Sequence, residues 1–140
     1  VAEPSTVTEG AVHLSVPAST ANLRVVRLVA ASLATDLGFG VDEIEDVRVA
    51  VDELAALLLE SSPGAGDGPE GRRLDLDLGS DGGVLEVQGS CEAPADGEPE
   101  LHGVAAELLS LLVDEYEVGS GAGRWWFRLR RAHRVDDDAE

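Results

Sequence analysis

Apolar and polar positions along the chain follow two alternating periods, and each change of period marks a change of element. From Ala11 to Val16 they alternate in twos and stop at Pro17, which predicts a first strand. Leu23, Val26, Ala30, Leu33 and Leu37 then recur at spacings of three and four, with Ser19 or Thr20 as a cap and Gly38 as a stop, so a helix follows. Arg24, Arg27 and Asp36 lie off that apolar stripe and are expected to face solvent or a partner. Asp42 with Glu45 three residues later forms a capping-box pattern for a second helix running to about Ser61. Its face of Ile44, Val47, Ala50, Val51, Leu54, Leu57 and Leu58 is broad enough to be buried against a sheet.

The Gly- and Pro-rich stretch from Ser61 to Gly71 resists regular structure and is expected to be a surface loop. Beyond it Leu74, Leu76 and Leu78 alternate with Asp75 and Asp77, and Ser80 to Gly83 turns the chain into Val84 to Gln88, a β-hairpin. Gly89 to Pro99 is polar and turn-rich. Helical spacing returns from Glu100 to about Asp114 through Leu101, Val104, Ala105, Leu108, Leu109 and Leu112. A second hairpin closes the pattern: Tyr116 to Val118, a turn over Gly119 to Gly123, then Arg124 to Arg130 with Trp125, Phe127 and Leu129 on one face. The order β-α-α-β-β-α-β-β predicts an α+β two-layer sandwich, with helices packed on one face of a mostly antiparallel sheet. The other face, carrying Asp75, Asp77, Arg124, Trp126, Arg128 and Arg130, is expected to be solvated, with Trp126 exposed among arginines as a candidate partner-binding anchor. One domain is expected over residues 11–131, between a disordered N-terminal segment, 1–10, and an acidic disordered tail, 132–140.

Charge narrows the choice of partner. The 140 residues carry 28 acidic against 10 basic side chains, a formal net charge of −18, which repels phosphate backbones and anionic membranes and draws in basic protein surfaces. All ten basic residues are arginine, so mechanisms that need a lysine are excluded. Cys91 stands alone, without a disulfide partner or a zinc-ligand set, and is expected to be a small half-buried side chain. His13, His102 and His133 are too scattered for a shared site, and no metal site is expected. The absence of a long apolar run places the chain in the cytoplasm as a sequence expectation.

The stretch from Asp42 to Glu53, behind Leu14-Ser-Val-Pro17 and a first helix bearing Arg27, resembles the bacterial anti-sigma-factor serine kinases of the RsbW and SpoIIAB type, members of the GHKL ATPase superfamily. The resemblance covers most of positions 11 to 131, most closely 11 to 60. It implies a Bergerat-like fold and, on the second helix, a Glu-x-x-x-Asn motif whose Glu is the general base and whose Asn helps hold the magnesium of ATP. Glu53 stands at the base position, but four residues on is Leu57, which offers no oxygen to a hard cation. The only asparagine is Asn22, on the first helix. Where the family has Asp-x-Gly-x-Gly for adenine, the chain reads Gly89-Ser-Cys-Glu-Ala93. Of the glycine-rich phosphate segment only Gly103 remains, near Glu98 and Glu100, and the lid segment, the eleven residues from Gly89 to Pro99, is truncated.

These departures imply a non-catalytic partner-switching regulator that binds a sigma factor or a STAS-type anti-anti-sigma protein and needs no cofactor. Glu53 is then a vestigial base, and Glu53 and Gly103 are weak nucleotide-binding candidates. The resemblance assigns partner contact to Arg27, with Arg24 beside it, and implies a homodimer through the first strand and helix. Two alternatives are an ATP-dependent serine protein kinase acting on an anti-anti-sigma factor, and a structural or dimerising domain of a longer chain.

Overall fold

A computed structural model describes residues 11–59, 72–93 and 97–134. The period-two segments become strands β1 (Val12–Pro17), β2 (Arg73–Asp81), β3 (Val84–Glu92), β4 (Glu115–Gly121) and β5 (Arg124–Ala132). The period-3.6 segments become helices α1 (Leu23–Asp36), α2 (Val41–Leu59) and α3 (Gly103–Leu112). The strands form one sheet in the order β1-β2-β3-β5-β4, every neighbouring pair antiparallel. Its register puts Leu76, Gly89 and Phe127 in one row and Leu78, Val87, Leu129 and Tyr116 in the next, all on the face that the helices cover. The core fills the space between the layers. Leu74, Leu76, Leu78, Leu85, Phe127 and Leu129 are fully buried beneath Val26, Ala30, Val47, Val51, Leu54 and Leu58, and each large side chain contributes roughly 1.5–3 kcal/mol. The predicted two-layer α+β architecture is the one observed.

Local chemistry sets the element ends. Ser19 Oγ accepts the Ala21 N–H and starts a single 3-10 turn, Thr20–Asn22, that leads into α1. Gly38, at φ 88°, lets the chain leave that helix in the left-handed region. The capping box of α2 is offset from the expected one: the helix begins at Val41, and the Glu43 carboxylate, not Glu45, reaches back 2.9 Å to the Gly40 N–H. Asp42 therefore lies within the first turn. The strand β3 also runs four residues past its expected end at Gln88, through Glu92. In the last hairpin the strand β4 absorbs Gly119 to Gly121, so the turn shrinks to Ala122 and Gly123, both at positive φ. The third helix is shorter at both ends than its spacing predicts. The loop expected over Ser61–Gly71 lies outside the described residues, as do residues 1–10 and 135–140.

Arg131 is the one buried cation, 5% exposed, among the described residues. It sits on the covered face of β5, where its Nη1 donates to Asp46 Oδ2 at 2.9 Å and to the Leu112 carbonyl at 2.5 Å, and Nη2 lies 3.8 Å from Glu43. Glu43 also accepts from the Arg134 N–H and pairs with His133, whose ring stacks on Phe39. Burial alone would raise the Glu43 pKa, but the N–H donors of Arg134 and Gly40 and the His133 ring outweigh it and hold the carboxyl below its ordinary value.

The open face is a charge ladder. Glu86 and Glu115 flank Arg130, Glu117 pairs with Arg128, Asp75 with Arg124, and Asp77 with His13. The hydrogen bond to Asp77 holds the His13 pKa above its ordinary value.

Two outcomes follow from the Arg131 cluster. Arg131→Leu leaves Asp46 and the Leu112 carbonyl without their donor and should lower unfolding free energy by about 3–5 kcal/mol in urea denaturation. Because the folded Glu43 pKa lies below the unfolded one, its contribution is complete above about pH 4.3 and disappears as pH falls through the folded value. Thermal melts should therefore decline less steeply with acidification in Glu43→Gln than in the parent chain.

Candidate functional site

The polar sides of α1 and α2 meet along one seam. There Arg27 Nη1 donates to Asp52 Oδ1 at 2.5 Å, which joins the two helices, and Arg48 pairs with Glu45 at 3.1 Å within α2. These four side chains and Val49 line a cavity of about 180 Å³. One third of the Arg27 side chain stays accessible, so it is neither free nor lost to the interior. Arg24 is exposed on the outer side of α1, one turn before Leu28, an apolar side chain left 63% exposed. Arg24, Arg27 and the exposed Leu28 therefore share one side of α1, with Arg24 between Arg27 and Leu28 around the helix, on a chain that is otherwise strongly acidic.

Trp126 is elsewhere, on the open face of the sheet, and the expectation that it is exposed is corrected. Its indole lies over Gly119, where an added Cβ would come within 2.7 Å of the ring, and its N–H is shielded from solvent. The missing side chain of Gly119 admits the ring, which is why this Trp is half-buried on a polar face.

Glu53 and Leu57 stand one turn apart near the end of α2. Glu53 is half-buried and makes no hydrogen bond or ion pair among the described residues, and Leu57 is 4% exposed. Gly89 lies within β3, where a Cβ would come 2.4 Å from the Phe127 ring, so the glycine serves the packing of the sheet. Cys91, expected to be half-buried, is fully buried because it sits on the helix-covered face of β3, and burial pushes its pKa up despite Arg72 Nη2, 3.3 Å from the sulfur. Gly103 opens α3 with open space around it, and the preceding His102 gives no side-chain cap.

This geometry has relatives. The chain is 24% identical over 146 aligned positions to the serine-protein kinase RsbW of Bacillus pumilus, an alignment that takes in 91% of this chain and 90% of that one. A crystal structure of the RsbU and RsbW domains of a Mycobacterium tuberculosis protein superposes with a TM-score of 0.68 at 19% identity, over 89% of this chain. The chain spans 33% of that longer one. No family model matches. In sequence and in fold the chain is similar to the RsbW-type anti-sigma-factor kinases. The resemblance read from residues 42 to 53 is thereby borne out.

At Leu57, where the resemblance implies a magnesium ligand, the side chain does not fit the ion. A hard cation takes oxygen ligands, and a buried leucine side chain supplies none. The glycine and cysteine of Gly89-Ser-Cys-Glu-Ala93 point into the core, while Ser90 and Glu92 lie on the open face, so this stretch offers no acidic side chain toward the helices. No group of three or more His, Cys, Asp or Glu side chains suited to a metal occurs among the described residues, and no described helix is long and apolar enough to cross a membrane. Sequence reasoning missed Asp52, the partner of Arg27. Its only local signal was a charge off the apolar face of α2, and pairing it with Arg27 required knowing how the helices cross.

The role of Gly89 is open to direct measurement. Gly89→Ala should destabilise the fold by about 1–3 kcal/mol through overpacking, and combining it with Phe127→Leu should cost less than the two changes added together.

Proposed function

We propose that this chain is a partner-switching regulator of the anti-sigma type, which grips a sigma factor or a STAS-type anti-anti-sigma protein through the α1–α2 surface and transfers no phosphate. The observation that carries this reading is the buried Leu57 four residues after Glu53. A kinase of this architecture needs its nucleotide's magnesium held at that turn, and a leucine there removes a ligand without disturbing the fold. The surface on the outer side of the same two helices keeps what binding requires: Arg27 fixed by Asp52, Arg24 free to meet a carboxylate, and Leu28 exposed beside Arg24. Fixing one guanidinium in advance lowers the entropy lost on association. Like-signed long-range charge would repel nucleic acid from most of the molecule.

The kinase reading has one observation in its favour, the retention of Glu53, and the similar Bacillus pumilus protein is named a serine-protein kinase. The two readings separate in a binding experiment. Biolayer interferometry against purified sigma factors and STAS-domain proteins should detect a partner in EDTA, with affinity changed less than about two-fold by magnesium and ATP. Arg27→Ala should weaken that binding about ten-fold or more, a loss near 1.4 kcal/mol. Phosphate transfer to the partner that Glu53→Gln abolishes would establish the kinase instead.

A further inference from the structure

We propose that the free edge of β4 is a second docking site, for an extended partner segment in which basic and apolar residues alternate. Among the described residues β4 pairs only with β5 and ends the sheet, so its outer edge presents unpaired backbone N–H and C=O groups. An added strand would take up these groups and place its side chains alternately on the two faces.

The two faces of β4 demand different chemistry. On the open face the ranks of charge alternate from strand to strand: Glu86 on β3, Arg130 on β5, Glu115 on β4, with Arg128 and Glu117 repeating the last step. The series ends at the edge on two exposed glutamates, and the side chain that continues it is a cation. On the helix face Tyr116 and Val118 are only half-buried, and α3 above carries Leu111 and Val104 at 81% and 80% exposure. The cavity of about 430 Å³ at the last turn of α3 is mostly polar, lined by Asp114, Glu115, Glu117 and Arg128 as well as Ser110, Val113 and Tyr116, so the apolar contacts on the helix face come from Val113, Tyr116 and Val118. Apolar side chains fit that side.

A second copy of the chain does not suit the edge, because antiparallel self-pairing centred on Tyr116 sets Glu115 against the copy's Glu117. The opposite edge, β1, lacks the pattern: its open-face residues are His13 and Ser15, which present no carboxylate to a basic side chain. The site shares no residue with the α1–α2 surface and stands whether or not that surface binds a sigma factor.

The probe is a fluorescein-labelled peptide of four Arg-Val repeats, followed by anisotropy at about 0.15 M salt, where the Debye length is near 8 Å. The full chain should bind it saturably, and an isomer with four Arg followed by four Val should bind about ten-fold more weakly. Glu115→Gln with Glu117→Gln should weaken binding about ten-fold and Leu111→Ser about five-fold, while Asp36→Asn on α1 should stay within about two-fold. Thermal melts of each variant check that the fold is intact. The proposal is overturned by equal binding of the two peptides, by equal loss in Asp36→Asn, by no binding at about 1 mM, or by a dimer in sedimentation that Leu111→Ser dissociates.

Discussion

A single buried guanidinium keeps the two layers of this molecule in register. Arg131 projects from the last strand into the helical layer, where it bonds a side chain in the first half of α2 and the carbonyl that ends α3. A cation there would be costly in isolation, and the surrounding Asp46, Glu43 and Leu112 carbonyl repay its desolvation. Because the same Glu43 caps α2 and receives the Arg134 N–H, the start of one helix, the end of another and the end of the sheet share one set of contacts. A shift of any of the three leaves a buried charge unpaired.

That arrangement lies apart from the positions where chemistry would occur. The core that fixes α2 against the sheet runs along Val47, Ala50, Val51, Leu54 and Leu58, and none of these needs a nucleotide to be satisfied. Glu53 and Leu57 lie beside that face, and Leu57, 4% exposed, adds its side chain to the buried apolar surface. The fold and the partner surface are built by packing and by one interhelical ion pair, whereas phosphate transfer depends on oxygen atoms at a few positions. On the reading proposed above, this asymmetry would let the chain keep its binding faces while it sheds catalysis.

Most of the fold was legible in the sequence because burial imposes a period of two on strands and 3.6 on helices, and Leu74-Asp-Leu-Asp-Leu78 or Val47 to Leu58 carry those periods plainly. The errors have local causes. Gly40 has no side chain to advertise a cap, so the pattern Asp42–Glu45 points two residues past the real Gly40–Glu43 contact. Gly89-Ser-Cys has the composition of a turn, yet the glycine is there to admit Phe127, thirty-eight positions away in sequence. Gly119 misled in the same way about Trp126. Of the candidate site, Glu53, Leu57 and Arg27 came from family resemblance, while Asp52 and the Arg131 cluster join residues far apart in the chain and leave no periodic trace.

Whether α2 can still serve magnesium and ATP decides between a regulator and a kinase. Isothermal titration calorimetry of the purified chain with ATP and ADP, with and without magnesium, addresses this most directly. Absence of saturable heat up to about millimolar nucleotide, unchanged by magnesium, is the predicted result. Saturable binding at about micromolar nucleotide that requires magnesium would contradict it and make Glu53 a working base in a true kinase.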